Sequence, residues 1–176
     1  MLAELKFLLA DEDKLIAALK HLNPRKPQNV TMKRIGSPYD GGYIMIDEYI
    51  INDAFAYSFG VGRNVSWETH MSKDYNSKIH MYDHTVNSHN SEDSNLIFHK
   101  VGLGSNNSEK LKTIKQIIKD NGHTDEKNMV LQCDIEGAEW DIFTNTPQEI
   151  LTQFSQLIIE FHWLGPMLTD NETHPD

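Results

Sequence analysis

The stretch NMVLQCDIEGAEWDIF (128–143) opens as an apolar run and turns abruptly to carboxylates around a glycine. Its first half reads as a continuous apolar strand, of the kind covered on both faces in a parallel sheet. Trp140, Ile142 and Phe143 then resume at helical spacing and stop before Pro147, which cannot continue a helix. A strand running straight into a helix is half of a crossover unit, and Asp134 and Glu136 sit at the junction.

The same alternation extends outward in both directions. Upstream, YIMI (43–46) reads as a short strand after turns at Gly36, Pro38, Gly41 and Gly42, and AFAYSFGVG (54–62) is a strand ending in two glycines. NVSWETHMSK (64–73) can open a helix, KIHMYDHTV (78–86) is the next strand, and NLIFHKVGLG (95–104) another that closes on a glycine turn. Ser108 is placed to cap a helix whose Leu111, Ile114, Ile117 and Ile118 share one face and which stops at Gly122. Downstream, QLIIEFHW (156–163) is one more buried strand. Strands alternating with helices require crossover connections, hence an open, mostly parallel α/β sheet with helices on both faces, of Rossmann type.

A length of 176 residues suits one domain. Leu5, Leu8, Leu9, Ile16, Leu19 and Leu22 give residues 1–30 a helical segment with a break around Asp11, ahead of a Rossmann-like domain over 31–176. Glu4, Asp11, Glu12 and Asp13 interrupt any apolar run long enough for a leader or a membrane span. The formal charge of -10, with scattered Lys and Arg, argues against nucleic acid and against an anionic membrane surface as partners. Cys133 stands alone, so no internal disulfide forms and a reducing cytoplasm is the simpler setting. Its apolar neighbours make it a core residue. The oligomeric state is left open.

In sheets of this class ligands bind beyond the carboxyl ends of the strands. Gly60, Asp83, Gly102, Asp134, Glu136 and Glu160 all fall there. Gly60 and Gly62 let the chain turn sharply and let a ligand approach bare backbone. Asp83 follows at about the twenty-residue spacing at which an acidic side chain receives a ribose diol. Gly102 and Leu103 can lie against an adenine ring. Together these ends describe an adenosine site without saying which cofactor carries the adenosine, and a nicotinamide cofactor suits the glycine loop and Asp83 as well.

The motifs DGGY (40–43), YSFGVG (57–62), YDHT (82–85), VGLGS (101–105), DIEGAEW (134–140) and LIIEFHW (157–163) occur in an order that resembles the FkbM-type family of class I S-adenosylmethionine-dependent methyltransferases. The resemblance implies an enzyme that methylates a hydroxyl of a small molecule or glycan. It implies that Gly60 and Gly62 surround the amino-acid part of S-adenosylmethionine, that Asp83 holds its ribose, and that Gly102 and Leu103 flank adenine. Asp134 and Glu136 would line the methionine end or the acceptor, and Asp40 and Gly41 would close the pocket from the N-terminal side. Three departures stand out. Ser58 occupies a position that is often acidic, with Glu68 on the following helix as the substitute; Asn64 stands where a third glycine is frequent; and only GPMLTDNETHPD follows the last strand, so the sheet is expected to lack its last two strands or to borrow them from a partner.

Methylation of a weakly acidic hydroxyl needs a base. Glu160 and His162 are two apart, so on a strand they project to the same side. With Asp134 and Glu136 they form a polar cluster in which His162 is the expected base, Glu160 a carboxylate able to orient its ring, and Glu136 the alternative base. The same side chains offer oxygen and imidazole ligands to a divalent metal, but D-x-E with E-x-H is no specific metal signature and no metal is predicted. The other histidines read as surface residues. A non-catalytic cofactor-binding or partner-binding domain is the second reading, motivated by Ser58 and the short C-terminal segment.

Overall fold

The apolar run Met129–Cys133 becomes a strand buried along its whole length in the computed structural model of the protein, which describes residues 16, 20, 22–89 and 91–162. The helical pattern read from Leu5 to Leu22 lies, but for 16, 20 and 22, outside the described residues. So does everything after 162, and with it the expectation about the last two strands. Two compact units form: Val30–Phe161, which carries all the elements named below, and the chain's ends, Met1–Asn29 with His162–Asp176.

The elements run β1 (Met32–Gly36), β2 (Gly42–Ile46), a 3-10 turn at Asp47–Tyr49, β3 (Phe55–Phe59), α1 (Ser66–Tyr75), β4 (Lys78–Tyr82), β5 (Leu96–His99), β6 (Gly102–Leu103), β7 (Leu111–Lys112), α2 (Ile114–Asp120), β8 (Met129–Cys133), α3 (Glu139–Asn145), α4 (Gln148–Leu151) and β9 (Phe154–Ile159). Five strands make one sheet in the order β5-β4-β3-β8-β9, and every pairing in it is parallel. The chain builds outward from β3 through β4 to β5, then returns to add β8 on the other side of β3. That reversal opens a crevice beyond the carboxyl ends of β3 and β8, where such sheets take their ligands.

Alternation along the strands supplies a core on each face. Ala56, Ile79, Met81 and Val130 pack with Trp67, Met71 and Tyr75 of α1 and with Ile35 and Met45 of the β1–β2 hairpin. On the other face Tyr57, Phe59, Leu131 and Cys133 meet Ile114, Ile117 and Ile118 of α2 and Ile142 of α3. The Cys133 thiol is fully buried; burial first, then Glu139 and Asp134, push its pKa upward, so it is an inert core residue. Among the described residues no helix is long and apolar enough to cross a membrane.

Several local expectations are corrected. Met32–Gly36, a stretch without strong periodicity, is a strand, paired antiparallel with β2 in the register Met32↔Ile46. The strand read over 95–104 stops at His99, and Gly102–Leu103 pairs separately with Leu111–Lys112. The helix expected from Ser108 starts later: Thr113 is its N-cap, accepting from the Gln116 amide at 3.2 Å, and Leu111 belongs to β7. Ser108 Oγ instead accepts from the amides of Lys110 and Leu111, closing the turn before β7. Finally β9 ends at Ile159, so Glu160 and His162 lie just past the strand rather than on it.

Gln156 joins the hairpin to the sheet. Its side-chain amide accepts from the Ile46 N–H at 2.8 Å and donates to the Ile46 carbonyl at 3.0 Å. A β9 side chain thus satisfies both backbone groups of Ile46 at the end of β2.

Candidate functional site

Beyond the strand ends lies a cavity of about 530 Å³. Gly60 and Gly62 from the β3–α1 loop, Asp83 after β4, Gly102 and Leu103 of β6, Asp134 and Glu136 after β8, and Asp40 and Gly41 from the hairpin turn all line it. Glu160 and His162 are not among its lining residues; Glu160 is exposed, and His162 belongs to the unit formed by the chain's ends.

The glycine loop has the geometry its composition demands. Gly60 has φ +81, and a Cβ there would sit 1.6 Å from the Asp134 carbonyl oxygen. No side chain fits, because the ends of β3 and β8 are in backbone contact at this point. Gly62 has φ +55 with open space around it. Its N–H donates to Asp83 Oδ2 at 2.8 Å, while Asp83 Oδ1 accepts from the amide and hydroxyl of Thr85 at 2.7 and 2.6 Å. Burial alone would raise the Asp83 pKa; the hydrogen bonds from Thr85 and Gly62 outweigh it and hold the carboxylate below its ordinary value. Two strand ends are thereby tied by one carboxylate at the cavity wall.

Asn64, in the place of a third glycine, braces the rim. Its side-chain amide donates to the Asp40 carbonyl at 3.1 Å, its Oδ1 accepts from the Ser66 amide, and Ser66 Oγ donates to the Gly41 carbonyl at 3.1 Å. At the β6 end of the cavity a Cβ on Gly102 would meet His84 at 2.4 Å and Leu111 at 2.7 Å. The His84 imidazole and the Leu111 side chain therefore pack directly against the Gly102 backbone.

The DIEGAE turn explains why the core strand ends in charge: its carboxylates do different work. Glu139 is fully buried, and its Oε1 accepts from the amides of Ile135 and Gly137, both at 3.2 Å. Glu136 takes φ +65, an uncommon conformation for a residue with a side chain. Asp134 Oδ2 accepts from the Tyr43 hydroxyl at 3.0 Å. A carboxylate oxygen of Glu160 comes within 4.8 Å of one on Asp134. Burial first, then Asp134, keep the Tyr43 phenol protonated by raising its pKa.

Tyr43, Ser58, Glu68 and Gln132 were not legible as a group in the sequence. Ser58 and Gln132 are register partners on β3 and β8 and share the sheet face under α1. Ser58 Oγ lies 2.5 Å from Glu68 Oε1 and 2.8 Å from Gln132 Oε1, and Gln132 Nε2 donates to the Tyr43 hydroxyl at 3.2 Å. Glu68 is 2% exposed, and burial pushes its pKa up to about 7 against the hydrogen bond from Ser58. One signal was available: an acid placed in the first turn after a G-x-G loop that lacks its usual acid two positions upstream.

No curated protein and no solved structure matches the chain. A family model described as a methyltransferase domain matches residues 16–173, which takes in every element of the sheet and every wall of the cavity. The chain belongs to that methyltransferase domain family.

Proposed function

We propose that the cavity binds S-adenosylmethionine and that the protein methylates a hydroxyl oxygen of a small molecule or glycan, as an FkbM-type enzyme. The observation that carries the reading is the charge of the wall. Asp40, Asp83, Asp134 and Glu136 line the cavity, with Arg63 as the guanidinium among its described lining residues. Such a wall suits a ligand bearing a sulfonium and an ammonium and opposes the pyrophosphate of a nicotinamide dinucleotide. The size fits a cofactor of this class. The loop fits too, because the space beside Gly62 is open and bare backbone lines it there.

On this reading Asp83 receives the ribose hydroxyls, Gly102 and Leu103 flank the adenine, and the loop from Gly60 to Gly62 surrounds the amino-acid end. Asp40 and Gly41, fastened by Asn64 and Ser66, close the rim. S-adenosylmethionine supplies an electrophilic methyl carbon; the chain's part is to hold the acceptor oxygen in line and to take its proton. Glu136, Glu160 and His162 are the proposed proton acceptors, and a cytoplasmic setting is proposed from the inert single thiol. No metal is invoked.

Isothermal titration with S-adenosylhomocysteine tests the reading, repeated on Asp83→Ala. The expected result is binding that the substitution weakens at least tenfold, since a ribose left without its acceptor loses about 1.5–3 kcal/mol. Failure of the wild-type protein to bind would overturn it.

A further inference from the structure

The hydrogen-bonded chain behind the cavity wall has a proton count that only some ionisation states satisfy. Ser58 has one hydroxyl proton, yet Glu68 Oε1 lies 2.5 Å away and Gln132 Oε1 2.8 Å away, both acceptors in their ordinary forms. Gln132 turns its Nε2 to the Tyr43 hydroxyl, which in turn donates to Asp134 Oδ2. With Ser58 donating to Gln132, the short contact to Glu68 needs a hydrogen, and only Glu68 can bring it. Reversing the Gln132 amide would let Ser58 donate to an ionised Glu68, but then Tyr43 would donate to Gln132 and be lost to Asp134. The chain therefore runs one way or the other as a unit.

We propose that Glu68 is a neutral carboxylic acid that donates to Ser58, fixes the direction of the chain Glu68–Ser58–Gln132–Tyr43–Asp134, and so acts as the positioning residue that holds Asp134 toward the cavity. Burial, the leading influence on this carboxyl, favours the neutral form. Glu68 Oε2 is buried with no hydrogen-bond partner among the described residues, which a neutral carbonyl tolerates far better than a carboxylate. The charged groups facing the same cavity from the surrounding loops are Asp40, Arg63, Asp83, Asp134 and Glu136, with His84 across from them. Those of its own helix, His70, Lys73 and Asp74, line a separate surface depression. Tyr43 is the titratable group facing the chain from the hairpin.

The protonation state is tested on the ligand-free full chain by carbon-13 NMR of glutamate-labelled protein, wild type against Glu68→Gln. One carboxyl resonance should stay protonated to near neutrality and vanish in the variant; ordinary titration of every glutamate would overturn the proposal. The consequence for binding rests on the S-adenosylmethionine reading and is tested with S-adenosylhomocysteine across the same pH range. Wild-type affinity should fall roughly tenfold as Glu68 ionises, about one pKa unit of coupling. Glu68→Ala should bind weakly throughout. Glu68→Gln, whose carboxamide can still donate to Ser58, should restore binding and lose the pH dependence. A Gln variant as weak as the Ala variant, or one that keeps the wild-type pH profile, would overturn the positioning role. Absence of any wild-type binding would sink the cofactor reading and leave the NMR result to decide the state of Glu68.

Discussion

At Gly60 a single methyl group separates a working loop from a broken one. Its added Cβ would fall 1.6 Å from the Asp134 carbonyl oxygen, backbone against backbone, at φ +81. Gly60→Ala must therefore part β3 from β8, and a loss of roughly 3 kcal/mol in denaturant unfolding is expected together with loss of S-adenosylhomocysteine binding. Gly62→Ala is the control: with open space around it and φ +55, it should cost only about 1 kcal/mol of left-handed backbone strain. Equal costs at the two positions would show that conformation, not contact, governs the loop. These glycines and Asp83 were legible in the sequence because residue type itself carries their constraint. Ser58 and Glu68 were legible as a displaced acid, but their link to Gln132 and Tyr43 was not, because that polarity has meaning only where β3, β8, α1 and the hairpin converge. The buried Glu139 shows the same limit from the other side: the motif was visible, but not that this acid serves backbone amides while Asp134 and Glu136 face the cavity.

Elements were legible where burial on both faces writes a continuous apolar run, as in β8, and obscure where pairing is local. Strand β1, MKRIG, hides because alternate side chains are exposed and its partner is a short hairpin strand. The start of α2 shifted because Leu111 looks like part of a helical face yet packs as a strand against Gly102. The cap makes this checkable: Thr113→Ala should cost about 1 kcal/mol through α2, measured by denaturant unfolding. Gln156 offers a sharper test of how the hairpin is held. Gln156→Ala removes both side-chain bonds to Ile46, so the Ile46 amide should exchange with solvent much faster. A stability loss of about 1–2 kcal/mol should accompany it. Unchanged exchange at Ile46 would mean that the hairpin is held by its apolar contacts alone.

For the molecule as a whole, three histidines, His80, His99 and His123, depart from the surface role that the sequence suggested, while His84 keeps it. His80 and His123 are buried, and His99 is half-buried. They form a ring stack in which His123 lies 3.7 Å from Phe55 and His99 4.4 Å from Tyr82. His80 Nδ1 and His99 Nε2 are 3.1 Å apart, and Tyr57 shares a 2.7 Å hydrogen bond with His123. Burial, then His99 and His123, lower the His80 pKa to about 4 from 6.5. The unfolded chain then binds more protons than the folded one between those values, so stability is full above about pH 6.5 and is lost as pH falls toward about 4. Glu68 has the opposite sign. Its pKa rises to about 7 from 4.5, so the folded chain holds the extra proton and stability declines as pH climbs through that interval. The two windows overlap, and a wild-type profile alone would show a shallow net slope that hides both. Glu68→Gln separates them. Relative to wild type its unfolding free energy should gain on the order of 2 kcal/mol between acid and mildly alkaline pH, and its own profile should fall steeply only on the acid side, by a similar amount. If the two proteins instead run parallel across the range, the buried acid is ionised in the folded state, and the neutral end of the chain behind Asp134 does not exist.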